Sequence, residues 1–360
     1  KNLKNILKEN NQVIESLKKT YKNNYDYKKI IKLKKNLNIR IIGIGGSILG
    51  AKAIYSFLSV KKKIYFIDNL KSRYHLKRKK YLNLIISKSG NTLETITNAN
   101  ILLSKRDKNI FITEDKNSYL YSLAESLKSE IIHHNNFIGG RYSVLSEVGM
   151  LPAELMGLNP HKFRQLNNLI KNKRFMNNLV FNVSSILGYV KNKKYNSIII
   201  NYNSNFNNLL EWYKQLVSES LGKKSQGILP IISNMPKDNH STMQLYLDGF
   251  KKNFFTFFFS KDSRSNKIDN KKFLDGNQFL KNKTVNQILY SQKLATEKVF
   301  FKKKIPFRSF ELNKLDEKTL GELFCFFILE TILLGKSLNL NPYDQPAVEL
   351  IKKETKKLLI

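Results

Sequence analysis

Nine short apolar runs, separated by stretches of helical periodicity, limit what this chain can become. Five come first: Arg40 to Ile44, Ile64 to Ile67, Tyr81 to Ile86, Asn109 to Thr113 and Glu130 to His133. Gly157 and Pro160 then punctuate the chain. Four more runs follow, at Ser197 to Tyr202, Ile228 to Ile232, Asn253 to Phe259 and Ile305 to Phe310. Strand-length runs alternating with helices are the pattern of βαβ units and parallel sheets. The expected fold is therefore α/β, with two parallel-sheet sandwich domains, flanking helices and a C-terminal helix. At 360 residues the chain is long enough for two cores. We expect a helical arm over 1–37, where Leu3, Ile6, Leu7, Ile14, Leu17 and Tyr21 recur at helical spacing. The domains then fall at 38–160 and 161–335, and the terminal helix at 336–360. Long helices are expected from Phe163 to Val190 and Phe206 to Leu221, and a polar stretch runs from Lys261 to Lys272. Strand ends of the two sheets should face a shared crevice, the usual ligand position in open α/β sheets.

Charge narrows the partners. Lys plus Arg is 63 against 28 Asp plus Glu, a net charge of +35. That excess raises a nucleic-acid partner. Yet arginine is rare, and lysines occur as scattered clusters such as Lys61-Lys62-Lys63 and Lys302-Lys303-Lys304 rather than one stripe with stacking aromatics. A generally Lys-rich surface with no specific nucleic-acid site is expected. The apolar stretch Leu323 to Leu334, interrupted by Glu330, is too short to span a bilayer, so no membrane partner is expected. The single cysteine, Cys325, excludes a disulfide framework, and with no signal-peptide pattern the expected setting is reducing and cytoplasmic.

Six segments carry chemistry. Gly43-Ile44-Gly45-Gly46-Ser47 joins an apolar run to a helix; it suits either ligand contact or a tight strand–helix turn, and it matches neither a P-loop nor GxGxxG. Asp68, closing the next strand, mimics the ribose-binding acid of a dinucleotide fold. Ser87-Lys88-Ser89-Gly90-Asn91-Thr92 gathers three hydroxyls and an ammonium at a helix start, more donors than a cap requires, and suits a phosphate monoester. Gly139-Gly140-Arg141 places a guanidinium on a turn, for a cleft or for a structural ion pair. Glu211, Gln215 and Glu219 share one helix face, either solvated or offering Glu219 as a base. His240 sits in Asp238-Asn239-His240-Ser241, a setting that His75, His133, His134 and His161 lack. Last, the Pro342-Tyr343-Asp344-Gln345-Pro346 turn precedes Lys352, seven residues beyond Gln345 and so two turns along one face.

Taken in order, the strings GIGGSILGA, SKSGNTLET, GGRYSVLSEVG, ESLGK, DNHSTMQ and NPYDQPAVELIK resemble the glucose-6-phosphate isomerase (phosphoglucose isomerase) family, from about Ile41 to Lys352. The resemblance implies two sugar-isomerase (SIS) domains and reversible aldose–ketose isomerisation of glucose 6-phosphate and fructose 6-phosphate through a cis-enediol, in glycolysis and gluconeogenesis. It implies Ser87, Lys88, Ser89 and Thr92 on the substrate phosphate, assisted by Gln215 and contacted by Gln345. Gly46 and Ser47 would line the site, and Asp68 would belong to it. Glu219 would shuttle the proton, Arg141 would stabilise the enediolate, and His240 and Lys352 would open the ring. No cofactor and no metal are implied, because one carboxylate can move the proton both ways. A homodimer with shared active sites is implied, His240 being supplied by the partner subunit. The alternatives are a non-catalytic sugar-phosphate-binding module, or a broader isomerase that also accepts mannose 6-phosphate.

Overall fold

The computed structural model describes residues 2–33, 37–74, 79–261, 265–269 and 277–360. His75 and parts of the polar stretch Lys261 to Lys272 lie outside the described residues. Two parallel sheets form. The first has five strands, β1 (Asn38–Ile42), β2 (Ile64–Ile67), β3 (Tyr81–Ile86), β4 (Lys108–Thr113) and β5 (Glu130–His133), in the order β2-β1-β3-β4-β5. The second has four, β6 (Asn196–Asn201), β7 (Leu229–Asn234), β8 (Asn253–Ser260) and β9 (Phe307–Leu312), in the order β7-β6-β8-β9. Among the described residues every pairing between these strands is parallel. The central strands β3 and β8 are buried along their whole length, as a sheet covered on both faces requires.

The described residues form fifteen α-helices. Before β1 stand α1 (Asn2–Lys8), α2 (Gln12–Ser16) and α3 (Tyr27–Leu33). The first sheet carries α4 (Gly46–Phe57), α5 (Leu93–Leu102) and α6 (Tyr119–Ser126), then α7 (Glu147–Met156). The second half holds α8 (Pro160–Phe163), α9 (Leu166–Leu169), α10 (Lys173–Lys191), α11 (Asn207–Leu221), α12 (Met243–Asp248), α13 (Val285–Lys302), α14 (Glu317–Ser337) and α15 (Val348–Leu358). The helices α4 and α11, each following the first strand of its sheet, pack against one another. One large core joins the halves, with Ile54 and Phe57 of α4, Trp212 and Leu216 of α11, and Phe324 and Ile328 of α14 all buried in it.

Three expectations change. The arm is not one helix: Asn11 caps α2 by accepting from the Val13 amide at 2.8 Å, and residues 17–26 leave helical geometry. The helix from Phe163 to Val190 is broken into α8, α9 and α10. Arg164 turns extended between α8 and α9, and its buried guanidinium donates to the carbonyls of Leu145 and Tyr21. Asn172 then restarts the chain as the cap of α10. Finally, the two sheets do not present carboxyl ends to one crevice. The crossover β6–α11–β7 carries α11 back to the amino edge of the second sheet. Gly45, at the start of α4, approaches Gln215 near the end of α11, while Phe57 at the far end of α4 stacks on Phe206 before α11, so the two carboxyl edges lie at opposite ends of this helix pair.

Candidate active site

Glycine lets three segments converge at the start of α4. Gly45 has φ +56°, and a Cβ there would stand 2.8 Å from Nε2 of Gln215. A Cβ on Gly46 would lie 2.1 Å from the carbonyl carbon of Gly140 and 2.5 Å from the Arg141 amide nitrogen. The β1–α4 loop thus presses backbone to backbone against the Gly139–Arg141 turn. Gly43 approaches the Ile86 carbonyl, which places the Ser87–Thr92 loop beside it. The Ser47 hydroxyl is half-buried and makes no hydrogen bond among the described residues.

Arg141 is the hub. It is buried, and all five of its N–H donors are engaged. Nε donates to Ser220 Oγ at 2.8 Å; Nη1 donates to Glu219 Oε2 at 3.2 Å and to Gln345 Oε1; Nη2 donates to the Pro342 carbonyl at 2.7 Å and the Asp344 carbonyl at 3.0 Å. Trp212 Nε1 donates in turn to the Arg141 carbonyl. Glu219 lies near the C-terminus of α11, where the helix dipole disfavours negative charge. The Arg141 guanidinium offsets that, and Gln215 Nε2 donates to the other oxygen, Oε1, at 2.9 Å. Glu219 keeps 30% of its side chain open, so the carboxylate is held yet reachable. Glu211 pairs instead with Lys214 on the solvent side.

The hydroxyl loop is built for something other than capping. Thr92 occupies the N-cap of α5 but makes no cap hydrogen bond. Its Oγ1 is 2.8 Å from Ser87 Oγ and 3.4 Å from Ser89 Oγ, so three hydroxyls cluster in the turn. Gly90, at φ +66°, allows that turn, since a Cβ there would strike Ser118 Oγ at 2.0 Å. Lys88 donates to the Asn136 carbonyl at 2.7 Å and stands 3.5 Å from Glu114.

Gln345 reaches the hub, but two expected residues do not. His240 ends a short 3-10 turn (Lys237–His240) after β7, exposed and with no hydrogen bond to its ring among the described residues. Lys352 is 64% exposed on α15 and pairs with Glu349 at 2.6 Å. The expected spacing argument fails here, because α15 starts at Val348 and Gln345 precedes it in a turn. Asp68 pairs with Lys52 of α4. Sequence reading missed Ser220, Tyr142 and Lys223. Tyr142 OH donates to the Pro342 carbonyl and lies 2.8 Å from Ser220 Oγ. Lys223 stands 2.7 Å from Asp344, holding that carboxyl below its ordinary range. Ser220 and Lys223 both lie in the ESLGK string, so their proximity to Glu219 was the available signal.

Two parallel sheets, a hydroxyl loop at one helix start and a clamped carboxylate at another helix end define a protein of the phosphosugar-isomerase fold class. That fold recurs in the hypothetical protein TT0462 from Thermus thermophilus (TM-score 0.84, 22% identity, 99% of this chain and 93% of that one). It recurs in a glucose-6-phosphate isomerase from Chlamydia trachomatis (TM-score 0.69, 19% identity, 92% of this chain and 71% of that one). The family model for phosphoglucose isomerase matches residues 2–233. A glucose-6-phosphate isomerase from Methanocaldococcus jannaschii is 33% identical over 346 residues, covering 88% of this chain and 82% of its own. The chain belongs to the phosphoglucose isomerase family. The matched span holds both loops, Arg141, Gln215 and Glu219, and ends before His240, Gln345 and Lys352.

Proposed function

We infer that the protein interconverts glucose 6-phosphate and fructose 6-phosphate, with Glu219 as the proton shuttle. The observation that carries this is a carboxylate fixed at both oxygens and open to solvent on one side, joined to a loop of three clustered hydroxyls through the β1–α4 loop, whose Gly45 approaches Gln215 and whose Gly43 approaches the Ile86 carbonyl. Ser87, Ser89 and Thr92, with Lys88 released from Asn136, take the phosphate, and Gly46 and Ser47 line the path to the base. Gripping the phosphate supplies binding energy remote from the reacting carbons, which orients C1 and C2 over Glu219. The carboxylate removes the C2 proton, leaving a cis-enediolate, and returns that proton to C1; no other group need carry it. The charge growing on oxygen is stabilised by the fixed Arg141 cation nearby. A binding module alone would need the hydroxyl loop without this clamp, and is not favoured.

His240 and Lys352 serve ring opening in this reading, and His240 comes from a second copy. Within one chain, Glu219 lies at the amino edge of the second sheet. His240 follows the six-residue strand β7, so it stands beyond the opposite edge, about 20 Å along the strand. A homodimer with composite sites resolves that separation. We assign the two domains to 38–160 and 161–335, with α15 outside both, and the enzyme to the cytoplasm. Among the described residues no helix is long and apolar enough to cross a membrane.

The test feeds fructose 6-phosphate and follows glucose 6-phosphate through a coupled dehydrogenase. Wild type should turn over, and Glu219→Gln should be dead while still binding substrate; full activity in that variant refutes the assignment. Mixing inactive Glu219→Gln and inactive His240→Ala chains should restore part of the activity. No recovery on mixing, with dimers present, refutes the composite site.

A further inference from the structure

The resemblance places Gln215 on the phosphate, but its contacts point elsewhere. Gln215 and Glu219 are one turn apart on the same face of α11. Among the described residues, the only side chain that the Gln215 amide bonds is the Glu219 carboxylate, Nε2 to Oε1 at 2.9 Å. The other carboxylate oxygen is taken by Arg141 at 3.2 Å, from a different element. Two donors on two oxygens fix the plane of the carboxylate, which one donor cannot do. The amide is itself packed in place, its nitrogen lying where a Cβ on Gly45 would stand 2.8 Å away. Its oxygen Oε1 is buried and has no hydrogen-bond partner. An acceptor oxygen has nothing to offer a phosphate dianion, and the nitrogen, which alone could donate, is held on Glu219 through one of its two N–H groups. Turning the amide over would set that oxygen against the Glu219 oxygen it now donates to, so each group holds the other's orientation.

We propose that Gln215 is a positioning residue for Glu219, holding Oε1 so that the carboxylate faces C2 and C1 of the sugar, and is not a ligand of the phosphate. Gln215 exchanges no proton: the proton leaves C2 for Glu219 and leaves Glu219 for C1. The proposal rests on the isomerase reading above, with Glu219 as base. A residue that only positions the base affects kcat and leaves phosphate binding alone, a split that a phosphate ligand would reverse.

The experiment compares wild type, Glu219→Gln, Gln215→Met and Gln215→Glu in the coupled assay, with inorganic phosphate as a competitive inhibitor. Gln215→Met keeps the length and loses the donor. It should lower kcat about 10- to 100-fold and leave KM and the phosphate inhibition constant within about twofold. Gln215→Glu replaces the donor with an acceptor of like charge beside the base and should lower kcat at least as far, again with the phosphate inhibition constant held. Thermal unfolding checks that each variant is folded; if Gln215→Met is not, Gln215→Asn, whose amide is too short to reach Glu219, replaces it with the same expectation. A tenfold rise in KM and in the phosphate inhibition constant at unchanged kcat overturns the proposal and restores the phosphate role. Unchanged kinetics in both variants also overturn it. An inactive wild type, or an active Glu219→Gln, instead overturns the isomerase reading itself.

Discussion

Gly46→Ala tests whether backbone contact at the start of α4 sets the geometry of the site. A Cβ at this position would lie 2.1 Å from the Gly140 carbonyl carbon and 2.3 Å from its oxygen, against at least 3.4 Å for an ordinary contact. The Gly140–Arg141 peptide would therefore have to retreat by the difference, 1.3 Å. Both partners are backbone, so no flexible side chain can absorb the strain. Arg141 follows that peptide directly, and its bonds to Ser220 and Glu219, at 2.8 and 3.2 Å, cannot survive such a displacement intact. A 1 Å misplacement near reacting groups costs about 100-fold in rate, and overpacking a tight site costs about 1–3 kcal/mol of stability. We expect kcat in the coupled fructose 6-phosphate assay to fall at least about 100-fold, with a melting temperature lowered by a few degrees. Gly140→Ala is the control from the other side of the same contact. Its Cβ would meet only the Cα of Gly46, at 3.8 Å, and should cost little. Near-normal turnover in a folded Gly46→Ala protein would refute the reasoning, as would equal damage from the two substitutions.

Two further outcomes follow from the same structure. Thr92→Ala should raise KM for fructose 6-phosphate about tenfold yet leave stability within about 0.5 kcal/mol, because the Thr92 hydroxyl bonds Ser87 rather than the helix it precedes. A loss of about 1 kcal/mol with KM unchanged would make Thr92 a cap instead. His134 is buried, which pushes its imidazole down to about 4 from an ordinary 6.5. The unfolded chain thus binds the extra proton first, so stability is complete above about pH 6.5 and is lost as pH falls toward 4, by at most about 3 kcal/mol from this group. Denaturant unfolding of wild type and His134→Leu across that window should show the slope flattened in the variant; parallel curves would contradict it.

Much of this fold was legible in the chain because its strands are buried and sharply bounded. All nine apolar runs became strands, shifted by a few residues at their ends, as at β9, which starts at Phe307. The glycine loop was legible as a loop, but its purpose was not: that Gly46 faces the Gly140 peptide depends on two helices, α4 and α7, brought together by the core. The face shared by Gln215 and Glu219 followed from helical spacing, and both residues sit there. The hold of Tyr142 and Lys223 on Pro342 and Asp344 did not, since each pair joins residues over 100 positions apart. Arg164 escaped for the same reason: helical periodicity cannot announce that a guanidinium will turn inward and end a helix. Lys352 shows the converse, a motif residue whose helix has no buried residue and stands apart from the hub.

The fate of deuterium placed on C2 of glucose 6-phosphate tests the central claim most directly. A single carboxylate that lifts the proton and returns it to the neighbouring carbon carries part of the label to C1 of fructose 6-phosphate and loses part to water while it holds it. We predict this mixture, read by NMR of the product, with chelator present or absent, and no label movement at all in Glu219→Gln. Complete retention of deuterium at C1, with no exchange into water, would mean a direct hydride shift between the carbons and would contradict Glu219 as the shuttle.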